Sequence, residues 1–248
     1  MKNQLSKPFI KFFGITIVVL SLVSCGFVAS VPWITNADHN NVVNIGDSIF
    51  ALSGEIQGFL HDNDGGKTFR RYSVSGAELD GGVLAPSVPS QYQTAKNDDP
   101  NIDTILMDGG GNDILLPAIA FDPYDCRTQW YEWGRLSNSC KNYIDDLYVD
   151  GVNLLNDMGA DGVSNVIFLG YYHTKDTWLM QLDNLEEAVD YGDKRLSDAC
   201  DNANIDCTFI DPRGVINNND IITDAIHPAT SGSLKIANLI WPVLQDKL

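Results

Sequence analysis

The stretch VVNIGDS, residues 42–48, is a short β-rich run that ends in glycine, aspartate and serine. Its branched side chains favour a buried strand, and Gly46 permits the backbone to turn sharply after it. Ser48 then opens a helical stretch near Phe50–Leu60. A hydroxyl in that position is exposed at a sheet edge, where a helix N-terminus stabilises developing negative charge. Alone, the tripeptide is weak evidence, because Asp and Ser are common helix caps.

Extended and helical segments alternate along the rest of the chain. Further strands are predicted at Phe69–Val74, Thr104–Met107, Asn165–Leu169 and Cys207–Ile210, and further helices at Tyr143–Met158, Leu182–Ala203 and Leu234–Leu248. Strands separated by helices indicate an α/β fold with a parallel sheet covered on both faces. Such sheets place their sites at the carboxyl ends of the strands, so the residues that follow each strand are the candidates for function.

A serine nucleophile needs a base, and the chain has four histidines. His39 lies close to the N-terminal region, His61 adjoins an acidic, turn-like stretch, and His173 follows the fourth strand and is a candidate to line the site. His227 follows the last strand, three residues after Asp224, so that the carboxylate is within reach of the ring and would stabilise the imidazolium. Taken alone, this fragment fits a surface aspartate and a structural histidine better.

Two further fragments follow strands. Gly110-Gly111-Asn112-Asp113 comes after the third strand, where the Asn112 amide would donate to an oxyanion and the glycines would let the backbone approach a substrate. The alternative is a helix cap, which Asn and Asp both provide. Gly76, after the second strand, offers a backbone N–H. The phosphate-binding patterns GxGxxG and GxxxxGK[ST] are absent.

Together, these fragments resemble the conserved blocks of the SGNH (GDSL-type) hydrolases. Gly46-Asp47-Ser48-Ile49 is similar to the first block, with Ile where Leu is usual, and Gly76 matches the glycine of the second, without its frequent polar neighbours. Gly110-Gly111-Asn112-Asp113 resembles the GxND block, and Asp224-Ala225-Ile226-His227 resembles the DxxH block. The four occur in the family's order across roughly residues 40–245. The resemblance implies a flavodoxin-like three-layer α/β/α sandwich with a parallel sheet of about five strands.

The resemblance also implies roles for individual residues. Ser48 is the nucleophile, His227 the base and acid, and Asp224 the residue that orients the ring. The backbone N–H groups of Ser48 and Gly76 and the side chain of Asn112 form the oxyanion hole. No metal or cofactor is required, and the absence of GxSxG excludes the α/β-hydrolase arrangement as the template.

These roles describe an esterase that hydrolyses carboxylic esters, acyl or acetyl, through an acyl-serine intermediate. Two alternatives stay open. The first is an envelope glycan O-acyltransferase with the same triad, and the second is a non-catalytic lipoprotein that binds glycans or lipids. The segment Leu116–Lys141, rich in aromatic residues, is long for a connection and either lines a substrate pocket or packs as a surface excursion.

The N-terminus has the features of an export signal. Three lysines precede the apolar run Phe12–Leu20, and no charge follows Lys11 until Asp38. Leu22-Val23-Ser24-Cys25 resembles the lipobox of bacterial lipoproteins, which implies lipidation of Cys25 and membrane attachment through the N-terminus. The alternatives are ordinary cleavage after Val28-Ala29-Ser30 and an uncleaved span. All three place the domain outside the cytoplasm, in the cell envelope or secreted.

This interpretation divides the chain into a signal peptide with lipobox at residues 1–25, a tether at 26–40 and a hydrolase domain at 41–248. The domain contains an even number of cysteines, Cys126, Cys140, Cys200 and Cys207, which in an exported protein suggests disulfides between sequence neighbours. The alternative is four reduced, buried thiols. Metal binding is less expected, because no CxxC pair is present.

The charge of the chain excludes one class of partner. Its net charge is −17, and removing residues 1–25 takes away three of the 16 basic residues and none of the 33 acidic ones, which leaves −20. Such a surface repels phosphate backbones, so nucleic acid is not an expected partner. The expected partner is a small-molecule, lipid or glycan ester.

Overall fold

The computed structural model describes residues 30–82, 85–128, 135–177 and 182–248. Its centre is a five-stranded, all-parallel sheet in the order β2-β1-β3-β4-β5, which is the flavodoxin-like order. The strands are β1 (His39–Ile45), β2 (Phe69–Arg71), β3 (Thr104–Met107), β4 (Asn165–Leu169) and β5 (Asp206–Ile210). The predicted fold class and strand number are therefore confirmed.

Helices cover both faces of the sheet. They are α1 (Ser48–Ala51), α2 (Glu55–Asn63), α3 (Val88–Asp98), α4 (Gly111–Ala120), α5 (Asn138–Ala160), α6 (Glu186–Asn202) and α7 (Thr230–Leu244), with short 3₁₀ turns at Asp183–Leu185, Asn218–Asp220 and Gln245–Lys247. Alternate strand residues point to opposite faces. Ile105 and Met107 join the core formed with α3, α5 and α6, whereas Leu106 joins the core formed with α1, α2 and α7.

The boundaries of several elements differ from the predictions. β2 ends at Arg71 rather than Val74, and the helical stretch after Ser48 is broken at Gly54, whose φ of +68° is a left-handed conformation that glycine adopts without strain. Helices α3 and α4 were not predicted. The segment Leu116–Lys141 was expected to be irregular throughout, but its first five residues belong to α4 and its last four belong to α5. The connection between the two helices is therefore shorter than expected.

The predicted tether at residues 26–40 also needs correction. Residues 1–29 lie outside the described part of the chain, but residues 30–40 are part of the domain. Ile34 forms an antiparallel bridge with Arg71, and the Val31 N–H donates to the Ala51 carbonyl at 2.8 Å. β1 already begins at His39. The folded unit therefore includes residue 30 rather than starting at residue 41.

Two disulfides join sequence neighbours, Cys126 with Cys140 and Cys200 with Cys207, which is the expected pairing. The first ties the segment after α4 to the first turn of α5, and the second ties α6 to β5. Among the described residues, none of the helices has the length and apolarity needed to cross a bilayer.

Candidate active site

The turn between β1 and α1 is held by side chains from distant parts of the chain. The Gln91 amide clamps Gly46, accepting from its N–H at 2.7 Å and donating to its carbonyl at 3.0 Å. Gly46 has a φ of +135°, and a Cβ there would lie 1.9 Å from Asp108 Oδ1, so only glycine fits. Asp47 caps α1 by accepting from the Ile49 N–H at 2.9 Å. Ser48 is thus fixed at the start of α1, as predicted.

A buried carboxyl pair lies directly behind this turn. The Asp47 N–H donates to Asp108 Oδ1 at 2.6 Å, and the Tyr171 hydroxyl donates to Asp47 Oδ2 at 2.7 Å. These two contacts link the ends of β1, β3 and β4. Burial, together with the negative charge of Asp47, raises the pKa of Asp108 well above its usual value.

The turn before α7 contains the predicted Asp–His pair. His227 Nδ1 lies 2.6 Å from Asp224 Oδ2, while Asp224 Oδ1 accepts from the backbone N–H groups of Ile226 and His227, both at 3.0 Å. Burial favours a raised pKa for Asp224, but the hydrogen bond and charge of His227 and these two N–H groups hold it below its usual value. Asp224 therefore both shapes the turn and orients the ring.

The other ring nitrogen of His227, Nε2, is buried and has no hydrogen-bond partner among the described residues, Ser48 included. Its ring is close enough to Asp47 for the imidazolium charge to lower the pKa of that carboxyl, which burial otherwise raises. Ile226, the residue before it, lines the same cavity as Ser48. The structure therefore brings the serine turn and the histidine turn to one edge of the sheet.

The Gly76 turn and the start of α4 are joined to each other. The Ala77 N–H donates to the Val74 carbonyl at 3.1 Å, and Gly76 has a φ of +81° at the tip of the turn. Asn112 Nδ2 donates to the Ala77 carbonyl at 2.9 Å. An amide has two N–H donors, so one remains available after this bond forms.

Asp113 extends this connection. Its two carboxylate oxygens accept from the N–H groups of Leu79 and Asp80, both at 2.8 Å, and burial raises its pKa to about 6. The helix-cap alternative for Asn112 and Asp113 is wrong, because Gly110 is the N-cap of α4 and no side chain caps this end. Both side chains instead hold the loop that carries Gly76.

The remaining histidines bond elsewhere. His39 contacts Asp64, His61 Nε2 accepts from the Phe69 N–H at 3.4 Å, and His173 Nε2 lies 2.8 Å from Asp190 on the surface. Of the four histidines, only His227 combines an orienting carboxylate with a ring nitrogen that is buried and has no hydrogen-bond partner among the described residues.

The aromatic segment contributes packing in its described part. Tyr124 stacks on Tyr143 of α5 with ring centroids 3.8 Å apart, whereas Phe121 is 80% exposed. Trp130, Tyr131 and Trp133, which the sequence offered as substrate contacts, lie outside the described residues.

Three residues of the site were missed by sequence reasoning. Asp108 directly follows β3 and Tyr171 is the second residue after β4, so their position at carboxyl strand ends was a usable signal. Gln91 gave none, because it lies in the middle of α3 and reaches Gly46 only in the folded chain.

Several proteins of solved structure have a fold similar to that of this chain. No protein-family model and no curated protein matches the sequence. The structure is similar to a carbohydrate acetylesterase family member from Sinorhizobium meliloti, with a TM-score of 0.59 and 15% identity over 84% of this chain and 99% of that one. It is also similar to phospholipase A1 from Streptomyces albidoflavus, with a TM-score of 0.53 and 16% identity over 84% and 99% of the two chains.

A candidate SGNH hydrolase from Slackia heliotrinireducens matches with a TM-score of 0.54 and 12% identity over 83% of this chain and 98% of that one. This chain therefore shares its fold with these three proteins, one of which is a candidate SGNH hydrolase. At these identities the likeness concerns the fold, and the chemistry rests on the residues described above.

Proposed function

We propose that this protein is an exported serine esterase that hydrolyses carboxylic esters through an acyl intermediate on Ser48. The observation that carries the proposal is the Asp224–His227 pair, with 2.6 Å between Oδ2 and Nδ1 and a buried, unpartnered Nε2 at the sheet edge where Ser48 begins α1. A nucleophile, a base and a group that orients the base are the minimal set for acyl transfer to serine.

In the proposed reaction, Ser48 Oγ attacks the ester carbonyl and His227 Nε2 takes the hydroxyl proton. The tetrahedral intermediate collapses to an acyl-serine, and the imidazolium returns the proton to the departing alcohol. Water then attacks the acyl-serine with His227 as base, which releases the carboxylic acid and restores Ser48. Asp224 stabilises the imidazolium in both halves of the cycle.

The oxyanion is proposed to be held by the backbone N–H groups of Ser48 and Gly76 and the free N–H of Asn112. The support is that the Asn112 amide and the Asp113 carboxylate both bind the loop containing Gly76. Donors fixed in this way are already oriented when charge develops, which is how an oxyanion hole lowers the barrier.

The test compares two serine residues that are largely buried. Ser48→Ala should remove hydrolysis of a small chromogenic ester, since no other nucleophile is proposed. Ser233→Ala is the control, because Ser233 lies in α7 and its buried hydroxyl has no hydrogen-bond partner among the described residues. Folded Ser48→Ala protein with the turnover of the Ser233→Ala protein would refute the proposal. Turnover in water alone, without a glycan acceptor, separates a hydrolase from a transferase.

Export is part of the same proposal. Two disulfides persist only in an oxidising compartment, which supports an extracytoplasmic domain. We propose that Cys25 is lipidated and attaches the protein to the membrane. Mass spectrometry of the mature N-terminus is the test: a lipid-modified Cys25 is expected, whereas a mature chain that starts near residue 31, or one that retains residues 1–25, would contradict the lipoprotein assignment.

A further inference from the structure

A cavity with a volume of about 80 Å³ extends from Ser48 between helices α4, α5 and α6. Asn112 lines its end nearest the proposed oxyanion hole. Most other lining residues among those described are apolar, for example Ile114 and Leu115 of α4, Leu147 of α5 and Leu196 of α6. The proposed nucleophile therefore borders a space with apolar walls.

The charged side chains that line this cavity, among the described residues, already have protein partners. Asp47 accepts from the Tyr171 hydroxyl, and Asp193 accepts from the Tyr171 backbone N–H at 2.9 Å. Arg195 is paired with Asp145 at 2.7 Å. Few polar groups remain to pair with a sugar, so most of its several hydroxyls would lose their hydration against these apolar walls, whereas a hydrocarbon chain needs no such partners.

We propose that this cavity binds the acyl chain of the substrate and that the substrates are esters of medium-length fatty acids. The inference rests on the proposed esterase function and adds the substrate class. One water-sized group needs roughly 10–15 Å³ of a cavity volume measured in this way, and a methylene is similar in volume to a water. The cavity therefore has room for an acyl chain of about six carbons.

Isomeric esters test which part of the substrate enters the cavity. Ethyl hexanoate and hexyl acetate have the same atoms, but only the first has a long acyl chain. Each buried methylene contributes about fourfold to kcat/KM, so ethyl hexanoate should exceed ethyl acetate on the order of a hundredfold, and ethyl decanoate should fall below ethyl hexanoate. A preference for hexyl acetate over ethyl hexanoate would assign the cavity to the alcohol and overturn the proposal.

Substitutions at two glycines test whether the acyl chain binds in this cavity. A Cβ on Gly192, in the cavity wall, would lie 3.5 Å from Ile114 Cδ1, so Gly192→Ala fills space without a clash. Gly151 of α5 does not itself line the cavity, and its Cβ would lie 3.7 Å from Ala199 Cβ. Gly192→Ala should lower the ratio of hexanoate to acetate turnover by about four- to tenfold, and Gly151→Ala should leave it unchanged. Equal ratios in both variants would contradict the assignment.

Binding without turnover separates this inference from the esterase proposal. Calorimetric titration of the Ser48→Ala protein should show tighter binding of ethyl hexanoate than of hexyl acetate, and adding Gly192→Ala should weaken it. Hydrolysis of all chain lengths at one rate would leave the esterase standing and refute the acyl cavity. Selective binding of ethyl hexanoate by a wild-type protein that hydrolyses no ester would refute the esterase proposal and leave the acyl cavity standing.

Discussion

The serine turn and the histidine turn are held in different ways. Gln91 and Asp108 come from other elements to fix the backbone of Gly46 and Asp47, so the position of Ser48 depends on the whole fold. In the histidine turn, the Tyr172 hydroxyl donates to the Ile226 carbonyl and the Lys175 N–H donates to the Ala225 carbonyl, so the backbone is held without the His227 ring, whose Nε2 has no partner among the described residues. Loss of the Gln91 side chain from the serine turn should therefore cost stability and activity together, whereas loss of the His227 ring should cost mainly activity.

The largest effect is expected at the histidine turn. His227→Ala should lower kcat on the order of 10⁶-fold, and Asp224→Asn on the order of 10⁴-fold because only orientation and charge stabilisation are lost. The His227→Ala protein should unfold at nearly the wild-type temperature, whereas Asp224→Asn should also lose some stability, because the Asp224 carboxylate accepts two backbone N–H groups of the turn. His173→Ala is the control, since its ring contacts the surface residue Asp190. Near wild-type turnover in folded His227→Ala protein would remove His227 from the mechanism.

Asn112 should affect the transition state rather than substrate binding. Asn112→Ala should lower kcat by about a hundred- to a thousandfold with KM nearly unchanged, because a donor to the oxyanion acts mainly after attack begins. Its bond to the Ala77 carbonyl contributes about 1 kcal/mol to the free energy of unfolding. Steady-state kinetics and thermal unfolding on one preparation measure both. A slightly less stable enzyme with normal kcat would show that Asn112 only holds the loop.

Two buried glutamines test whether the serine turn depends on the fold. Gln91→Ala removes the clamp on Gly46 and should lower the free energy of unfolding by about 3–4 kcal/mol, because buried backbone groups lose their partners. It should also lower kcat. Gln57 is equally buried but donates to the Asn44 side chain, so Gln57→Ala should destabilise with normal kcat. If the two variants have the same kcat, the clamp does not position Ser48.

Asp193 should make the free energy of unfolding depend on pH, with a smaller effect than the substitutions above. It supports Tyr171 and thereby the serine turn, and burial raises its pKa from 3.8 to about 7. The folded protein therefore keeps a proton that the unfolded chain releases, and the free energy of unfolding falls as the pH rises from 3.8 towards 7. Between pH 5 and 8 this group should account for a fall of about 2–3 kcal/mol.

Asp193→Asn keeps the acceptor for the Tyr171 N–H and cannot ionise, so it should be more stable than the wild type at pH 8 and should lose less stability over this range. Urea unfolding of both proteins at pH 5 and pH 8 measures the difference. Parallel losses in the two proteins would show that the proton on Asp193 does not govern this dependence.

A structural feature could be predicted from the sequence where it depends on residues that are close together in the chain. The strands Thr104–Met107 and Asn165–Leu169 were predicted with their observed bounds, because each is a continuous apolar run that both faces of a parallel sheet bury. Helix α3 was missed because only a few of its residues are apolar, although Ser87 at its N-cap and Pro89 in its first turn are recognisable start signals.

Helix α4 was missed for a different reason. Pro117 lies inside it and cannot donate to the Asp113 carbonyl, which usually argues against a helix. The Tyr143 hydroxyl of α5 donates to that carbonyl instead, at 3.1 Å. This compensation comes from another helix, so no local pattern reveals it. The same holds for the cavity, which exists only through the spacing of α4, α5 and α6.

The most direct test of the proposed mechanism is covalent labelling of the nucleophile. Diethyl p-nitrophenyl phosphate phosphorylates an activated serine, and mass spectrometry after proteolysis identifies the modified residue. We expect one diethylphosphoryl group on Ser48, loss of activity in proportion to labelling, and little labelling of the His227→Ala protein. An active preparation that loses its activity with the label on another residue, or hydrolyses esters with Ser48 unmodified after inhibition, would contradict the assignment of Ser48 as the nucleophile.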